Sequence, residues 1–264
     1  MPELPDLHVY AKNLNKLIVG REIVDVAVAQ RARTNVPAEF FARVLKGAAI
    51  DVVERHGKEL FFRLSNGECF AIHLMLSGRF DFFPPDRETN RVKGGWLLCL
   101  KFCDDSVLSV SDVGNLCRIS LNPPKSTTQD VMDEAFTFDY FLKMAHKYAR
   151  TNVKQFLIDQ KIMRGIGNAY ADEILYKANI SPVSVVGKIP AEIMRVLYGD
   201  ISKVLLEAID SIERIAPDTI NGEERSFLNV HRRDITVTER GDEIIIKTVA
   251  QKKTYYTAAQ KPYF

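Results

Sequence analysis

Residues 159–175 read DQKIMRGIGNAYADEIL, and this stretch holds the strongest fold signal in the chain. Helical periodicity flanks it, near Val153–Ile158 and Ala169–Lys177. Between the two periodic segments, Gly165 and Gly167 predict a glycine turn, and two helices joined in this way are typical of the helix-turn-helix class. If the Gly-Ile-Gly-Asn sequence stood alone, a tight helix–helix connection without function would be the favoured interpretation.

The pattern on either side of this stretch indicates an α+β protein. Further helices are predicted near Phe138–Ala149 and Ala191–Arg214. Upstream, a helix from Leu4 to about Leu17 precedes short β-rich runs at Ile23–Val28, Ala49–Val53, Leu60–Leu64, Cys69–Met75, Trp96–Phe102 and Val107–Val110. A short helix at Ala38–Leu45 interrupts these runs, and turn signals lie at 65–67 and at Lys93-Gly94-Gly95. We therefore predict an N-terminal helix on a β-sandwich or barrel, followed by a helical domain.

The last forty residues predict a β-hairpin with a basic surplus. Asp234–Val237 and Glu243–Val249 have strand-like patterns, hinged at Arg240-Gly241-Asp242. From Arg225 onward there are eight Lys or Arg against four Asp or Glu, with aromatic residues interleaved. Such a segment is typical of a nucleic-acid footprint. A solvated hairpin explains the charges equally well.

Composition excludes several classes of protein. The 264 residues carry 36 Lys plus Arg and 34 Asp plus Glu, so a polybasic binder is excluded, and 46% hydrophobic residues argue against disorder. No apolar run approaches the roughly 18 residues that a membrane helix needs, and the N-terminus has no secretory pattern. The four cysteines show no CxxC spacing, which predicts buried, reduced thiols in a cytoplasmic protein rather than zinc or disulfide sites: Cys69, Cys99, Cys103 and Cys117.

The sequence Met1-Pro2-Glu3-Leu4-Pro5 suggests covalent chemistry. Removal of an initiator Met before Pro would expose Pro2 as a secondary amine with a pKa of about 8, partly uncharged at neutral pH. Such an amine can condense with an aldehyde carbon to an iminium, which is an electron sink for elimination. Glu3 beside it could move protons. The alternative is simply a proline at a helix start.

The motifs, taken in order, resemble the formamidopyrimidine-DNA glycosylase / endonuclease VIII (Fpg/Nei) family of base-excision repair enzymes. The matching segments are MPELPD at 1–6, HGKEL at 56–60, HLMLSGR at 73–79, the helix–two-turn–helix at 159–175, and KKTYY at 252–256 with Gln260. They follow the family's order and cover essentially the whole chain. The resemblance implies an N-terminal catalytic β-sandwich domain (1–122), a linker (123–133), a helix–two-turn–helix DNA-binding domain (134–224) and a finger hairpin (225–264).

The resemblance also implies roles for individual residues. Pro2 would attack C1′ of a damaged or baseless nucleotide, and Glu3 would act as general acid and base. Lys58 would hold a phosphate, although on residues alone it reads as a solvated strand lysine. Asn168 would contact backbone phosphate. Asp6, in place of a longer Glu, would be auxiliary.

Physical reasoning supports a phosphate site at the glycine turn. The backbone N–H groups of Gly165 and Gly167 are unshielded by side chains, so an anion could approach them at the following helix's N-terminus. His73, in contrast, is interpreted as a structural histidine rather than a catalyst.

The finger departs from the family pattern. The two CxxC pairs of the family's finger align in this chain with Val237, Arg240, Thr257 and Gln260. None of these residues can replace a thiolate ligand, so no metal and no cofactor is expected. A zincless hairpin could instead be held by packing of Ile244, Ile246 and Val249. The finger arginine aligns with Lys252, next to Lys253, which keeps the charge but loses the bidentate fork.

The residues that would fill the gap left by an extruded nucleotide also differ. Leu76 stands for the family's Met, and Asn115 with Leu116 for its Arg and Phe; leucine can still separate base steps. The segment from Ala216 to Phe227 is shorter than the loop that closes over 8-oxoguanine. These differences argue against a standard 8-oxoguanine enzyme.

The function that the resemblance implies is a DNA repair glycosylase. It would remove a damaged, oxidised base from double-stranded DNA, with abasic-site lyase activity through a Schiff base on the N-terminal proline. The resemblance also implies a monomer that does not contact membranes. The protein would be cytoplasmic, and associated with the nucleoid if it is bacterial. The alternative is a protein that binds lesions or abasic sites with little or no base excision.

Overall fold

A computed structural model describes residues 1–85 and 95–264 of the chain. These residues form two compact units. The first, called the sandwich unit, comprises Met1–Pro2, Asp6–Lys125 and Ala216–Glu223; the second, called the helical unit, comprises Glu3–Pro5, Ser126–Ile215 and Glu224–Phe264. Within the described part of the chain, no helix is long and apolar enough to cross a membrane.

The described residues of the sandwich unit form two sheets and two helices. Helix α1 spans Leu4–Ile18; its first two residues belong to the helical unit and the rest to the sandwich unit. Helix α2 spans Ala38–Leu45. The strands are β1 (Ile23–Val28), β2 (Arg33–Thr34), β3 (Ile50–His56), β4 (Glu59–Leu64), β5 (Cys69–His73), β6 (Arg79–Phe83), β7 (Trp96–Phe102), β8 (Val107–Ser111) and β9 (Arg118–Leu121). The order is β1-β7-β8-β6 in one sheet and β2-β9-β5-β4-β3 in the other.

The apolar core of this unit draws on both sheets and both helices. Leu7, Tyr10, Leu14 and Ile18 recur at helical spacing along α1 and are buried. Phe62 of β4 stacks on Phe70 of β5 with ring centroids 4.5 Å apart. Burial of every second residue on β4 matches the two-residue period of a strand.

Four α-helices, a short 3-10 helix at Val186–Lys188 and one hairpin form the helical unit. The helices are α3 (Phe138–Lys147), α4 (Val153–Ile158), α5 (Asn168–Lys177) and α6 (Ala191–Ile215), and the hairpin pairs β10 (Ile244–Val249) with β11 (Lys252–Thr257). Helix α4 begins at a clear N-cap, because the Asn152 side chain accepts from the backbone N–H of Lys154 at 2.9 Å and of Gln155 at 3.2 Å. The predicted α+β architecture is confirmed.

The predicted first strand of the C-terminal hairpin is wrong, although the predicted hinge is present. Asp234–Val237 is not a strand, and a single antiparallel bridge joins Val237 to Glu243 across the turn at 238–242. The hairpin instead turns at Ala250 and Gln251, whose φ angles of 48° and 60° are left-handed. Two left-handed residues between antiparallel strands form a type I′ turn, which usually contains Asn or Gly. Gly241 therefore marks a real turn, but the paired strands follow it and are joined by a turn that contains no glycine.

Two smaller expectations also need correction. Lys58 lies in the tight turn between β3 and β4 rather than on a strand, and it is buried. Cys117 is buried and Cys69 and Cys99 are partly buried, but Cys103 is exposed, contrary to the expectation for all four thiols. The turn signal at Lys93-Gly94 lies outside the described residues.

Candidate active site

The carboxylate of Glu3 binds the N-terminus of α5. Its oxygens accept from the backbone N–H groups of Gly167 at 2.8 Å, Ala169 at 2.9 Å and Tyr170 at 3.3 Å. The residue is 3% exposed. Free N–H groups and the helix dipole together favour an anion at this position. Glu3 is therefore held in one place within the helical unit.

The two turn glycines allow this approach. A Cβ on Gly167 would lie 2.3 Å from Cδ of Glu3, and a Cβ on Gly165 would lie 2.5 Å from Cδ1 of Leu4. Gly165 also has a φ of 111°, a conformation that L side chains rarely adopt. Both positions thus require glycine because the N-terminal segment lies against the turn.

The expected anion at these amides was a phosphate, and the structure shows different partners. Gly167 donates to Glu3, and the backbone N–H of Gly165 donates to Oε1 of Gln160 at 3.1 Å. A sequence pattern indicates that an anion can bind at a glycine turn but not which one. The carboxylate that does so lies 164 residues away in the chain. A DNA contact by this turn stays a prediction.

A buried lysine joins α4 to α5 and the hairpin. The ammonium of Lys154 donates to Oδ1 of Asp172 and to Oγ1 of Thr254, each at 2.7 Å. The side chains of the ion pair are 0% exposed. Burial lowers the pKa of Lys154, against the attraction of Asp172. Lys154 was not among the predicted site residues. Its position one turn from Leu157 and Ile158, on an apolar helix, is the pattern that indicates burial.

Two adjacent carboxylates of α5 hold the chain of the finger (residues 225–264). The second oxygen of Asp172 contacts Nδ1 of His231 at 2.7 Å and accepts from the backbone N–H of Tyr255 at 3.0 Å. Glu173 accepts from the backbone N–H groups of Asn229, Val230 and His231, each at 2.8 Å. The finger is therefore fixed to α5 by hydrogen bonds to buried carboxylates.

An apolar cluster completes the finger. Its buried members are Tyr176, Val230, Ile244 and Tyr255. Of the three residues predicted to pack the hairpin, Ile244 and Val249 are 8% and 9% exposed, but Ile246 is 49% exposed and was wrongly included. Among the described residues, no group of three or more His, Cys, Asp or Glu side chains could hold a metal ion.

The predicted phosphate-binding residues of the helical unit lie beside one another. Nδ2 of Asn168 donates to the carbonyl of Lys253 at 2.9 Å, while its buried Oδ1 has no partner. Lys252 and Lys253 begin β11 and are both exposed. The turn before α5 and the start of β11 are thus brought together, with two ammonium groups open to a ligand.

Three predicted residues of the sandwich unit are buried. Pro2 and Asp6 are buried, the latter at 1% exposure, and Lys58 is 8% exposed. Burial and the charges of Lys58 and Arg118 lower the pKa of His73 to about 4. His73 accepts from the backbone N–H of Met75 at 3.0 Å through Nδ1, as suits a neutral structural histidine.

The residues predicted to fill the gap left by an extruded nucleotide lie on two turns joined by one carboxylate. Asp112 accepts from Oγ of Ser77 at 2.5 Å and from the backbone N–H groups of Leu116 and Cys117 at 2.6 and 2.7 Å. Burial alone would raise the pKa of Asp112, but these hydrogen bonds outweigh it and lower the pKa. The carboxylate thus fixes the turn at 112–117 against the turn that carries Leu76.

Exposure on these turns differs from the expectation. Leu76 is 64% exposed, whereas Asn115 and Leu116 are only partly exposed. On these two turns the most exposed large apolar side chain is Val113, at 86%, which was not among the predicted site residues. Leu76 and Val113 are therefore the apolar groups that these turns present to solvent.

Comparison with known proteins places this fold and these motifs in a family. Sequence models match residues 1–119 as the formamidopyrimidine-DNA glycosylase N-terminal domain and residues 128–216 as its H2TH domain. A formamidopyrimidine-DNA glycosylase of Enterococcus faecalis is 33% identical, over 97% of this chain and 95% of that protein. The chain belongs to the formamidopyrimidine-DNA glycosylase family. The Carboxydothermus hydrogenoformans member is 29% identical over 97% of this chain and 98% of its own.

Solved structures of the family share the fold. Lactococcus lactis Fpg in complex with DNA containing an abasic site has a TM-score of 0.85 at 23% identity, covering 98% of this chain and all of that chain. The complex of the wild-type Lactococcus lactis enzyme with DNA containing an oxidised pyrimidine has a TM-score of 0.83 at 25% identity, over 97% of this chain and 98% of that chain. The predicted family, fold class and assignment as a DNA repair glycosylase are confirmed. The roles of individual residues stay predictions.

Proposed function

We propose that this family member removes an oxidised base from double-stranded DNA and cleaves the resulting abasic site through Pro2. The observation that carries the proposal is the placement of Glu3. Its carboxylate is buried, fixed by three backbone N–H groups, and belongs to the residue directly after Pro2. A fixed carboxylate next to an N-terminal secondary amine supplies both groups that the reaction needs.

The reaction begins with Pro2 as a free amine. Once Met1 is removed, the uncharged nitrogen attacks C1′ of the extruded nucleotide, and the C1′–base bond breaks as a proton reaches the leaving base. Opening of the sugar ring then gives an iminium between Pro2 and C1′. The iminium withdraws electrons from C2′, so loss of a C2′ proton expels the 3′ phosphate. A lysine is unnecessary as the nucleophile.

We assign proton transfer to Glu3. Its carboxylate accepts from three backbone N–H groups, which hold it at a fixed position in the residue after Pro2. A carboxylate fixed in this way can take up a proton and return it. Fixing the group in advance avoids reorganisation during the reaction.

The remaining residues bind and deform DNA. Lys58, Asn168, Lys252 and Lys253 contact backbone phosphates, which supply most of the affinity. Leu76, joined by Val113, separates the base steps when the nucleotide leaves the stack, because C1′ is shielded in a duplex. The arginine absent from the 112–117 turn changes the preference for the opposite base.

Similar proteins indicate the substrate class. Lactococcus lactis Fpg has been solved with DNA containing a Fapy-dG lesion, an abasic site or an oxidised pyrimidine. The short 216–227 segment favours an oxidised pyrimidine or a further-oxidised purine over 8-oxoguanine. No cofactor or metal takes part. The protein acts as a monomer, and the bacterial source of its relatives favours the cytoplasm. Its domains are the four parts 1–122, 123–133, 134–224 and 225–264.

Single-turnover excision on a panel of damaged duplexes tests the proposal. The wild-type chain, prepared without Met1, releases at least one oxidised base and nicks the strand. Glu3→Gln loses base release by about a hundredfold or more while binding to abasic-site DNA holds. Pro2→Gly retains only partial lyase activity. Binding without release by the wild-type chain on every duplex would favour the lesion-binding alternative.

A further inference from the structure

The N-terminal amine of the chain has a carboxylate partner. The ammonium of Met1 forms an ion pair with Glu223, and both residues belong to the sandwich unit. Glu223 ends a short segment, residues 216–223, which we call the strap. The strap follows α6 in sequence but packs within the sandwich unit. Glu223 lies outside every motif quoted from the sequence.

Helix α1 holds the strap at several points. Nδ2 of Asn13 donates to the carbonyls of Pro217 at 2.8 Å and Thr219 at 2.9 Å. The hydroxyl of Tyr10 donates to the carbonyl of Gly222, next to Glu223. Asn13 and Tyr10 are 3% and 1% exposed, so these anchors are themselves fixed by packing.

The middle of the strap is fixed on the other side by the sandwich. Nδ2 of Asn221 donates to the carbonyl of Phe80 on β6 at 2.8 Å. Ile220 is 8% exposed and joins the apolar core of the unit. The backbone before Glu223 is therefore anchored on two elements, which limits where the Glu223 carboxylate can reach.

We propose that Glu223 is a positioning residue for the reacting amine, holding the Pro2 nitrogen and stabilising the iminium that forms on it. This inference rests on the proposed function. Removing Met1 moves the amine by one residue, about 3.8 Å between Cα atoms. The two methylene groups of the glutamate side chain can follow a shift of this size, while the anchored strap keeps it at the N-terminus.

The chemistry explains why a carboxylate belongs there. The neutral amine of Pro2 adds to the C1′ aldehyde of an abasic site, forming the N–C1′ bond and a carbinolamine. Loss of the hydroxyl with one proton as water leaves C1′ doubly bonded to a nitrogen that now carries the positive charge. The nitrogen has no hydrogen left to donate, so a nearby negative charge stabilises it through electrostatics alone.

Borohydride trapping on a duplex with one abasic site tests the inference at saturating DNA. All variants are prepared without Met1, which intact mass confirms. Glu223→Gln slows adduct formation by about fivefold, as loss of one charge contact near the surface predicts, while the Kd for the duplex and the melting temperature stay unchanged. Glu223→Asp recovers part of the rate. The matched control is Asp218→Asn, which removes an exposed carboxylate from the same strap. This variant should form the adduct at the wild-type rate.

The outcomes separate this inference from the proposed function. An adduct with the wild-type chain and an equal trapping rate for Glu223→Gln overturns the role of Glu223 and leaves the Pro2 chemistry standing. An equal loss of rate for Asp218→Asn also overturns it, because the effect would then be one of general charge. No adduct with a wild-type chain that lacks Met1 and binds the duplex contradicts the proposed function itself.

Discussion

The β-sandwich and the finger are stabilised by different interactions. The sandwich unit buries a continuous apolar cluster that draws on both sheets and on helices α1 and α2. The finger contributes only three buried residues to a small apolar cluster, Val230, Ile244 and Tyr255, and α5 supplies the fourth, Tyr176. Two strands cannot bury enough apolar surface to be stable alone. The finger must therefore gain its order from elsewhere in the helical unit.

Buried charge supplies that order. Asp172 binds the Lys154 ammonium with one oxygen and the finger backbone at Tyr255 with the other. Glu173 binds the chain at 229–231 in the same way. A buried ion pair contributes little net stability, but losing one partner leaves an uncompensated charge. Hydrogen bonds to buried carboxylates can therefore order a finger in which, among the described residues, no group of three metal-ligating side chains is found.

The largest predicted effect comes from removing Asp172. Asp172→Ala strands the Lys154 ammonium in a site that is 0% exposed, so we expect a loss of about 3–5 kcal/mol in the free energy of unfolding. Denaturant titration measures the loss, and limited proteolysis shows cleavage within 225–264 first.

A surface pair provides the control for this variant. Glu207 lies 3.6 Å from Lys177, and the two side chains are 55% and 34% exposed. Glu207→Ala should cost less than about 1 kcal/mol. Equal losses for Asp172→Ala and Glu207→Ala would mean that the buried pair does not hold the finger.

The sandwich contributes the next effect, which depends on pH. The pKa of His73 is lowered from 6.5 to about 4 by burial and by Lys58 and Arg118. The unfolded chain therefore binds a proton between these two values that the folded chain does not. Stability is complete above pH 6.5 and falls as the pH drops toward 4, by up to about 3 kcal/mol.

His73→Asn isolates this titration, because its side-chain oxygen can still accept from the backbone N–H of Met75. Unfolding free energies measured from pH 7 to pH 4 should fall less steeply for this variant than for the wild type. Identical slopes for the two proteins would remove His73 as the source.

The smallest effect concerns the finger turn. Ala250 and Gln251 both adopt left-handed φ angles, which are unfavourable for residues with a Cβ. Gln251→Gly should raise the free energy of unfolding by about 1 kcal/mol. Gln251→Ala, which also removes the side chain but keeps the Cβ, should give no gain. An equal gain in the free energy of unfolding from both variants would show that relief of backbone strain is not the cause.

Local patterns in the sequence predicted much of the fold. The bounds of α2, α4, β1 and β7 match the expectation, because each has a clear period and clear stop signals. The hairpin was misplaced because its turn lacks the glycine that usually marks one. Strand β9 was missed, since its four residues are too short for a period to show.

The candidate site was predictable in identity but not in arrangement. Pro2, Glu3 and Lys58 are recognisable by motif, whereas the contact of Glu3 with α5 depends on residues 164 positions apart. Lys154 was not predicted, because a single lysine on a short helix is typical of an exposed residue. Only its position on an apolar helix indicated that it could be buried. Glu223 could not be found either, since only the anchored strap brings it to the N-terminus.

Mapping the trapped adduct shows directly whether Pro2 is the nucleophile. The chain without Met1 is incubated with abasic-site DNA and borohydride, which reduces the iminium, and the digested adduct is sequenced by mass spectrometry. We expect the DNA remnant on the nitrogen of Pro2. A remnant on a lysine such as Lys58, or no adduct from protein that binds the DNA, would contradict it.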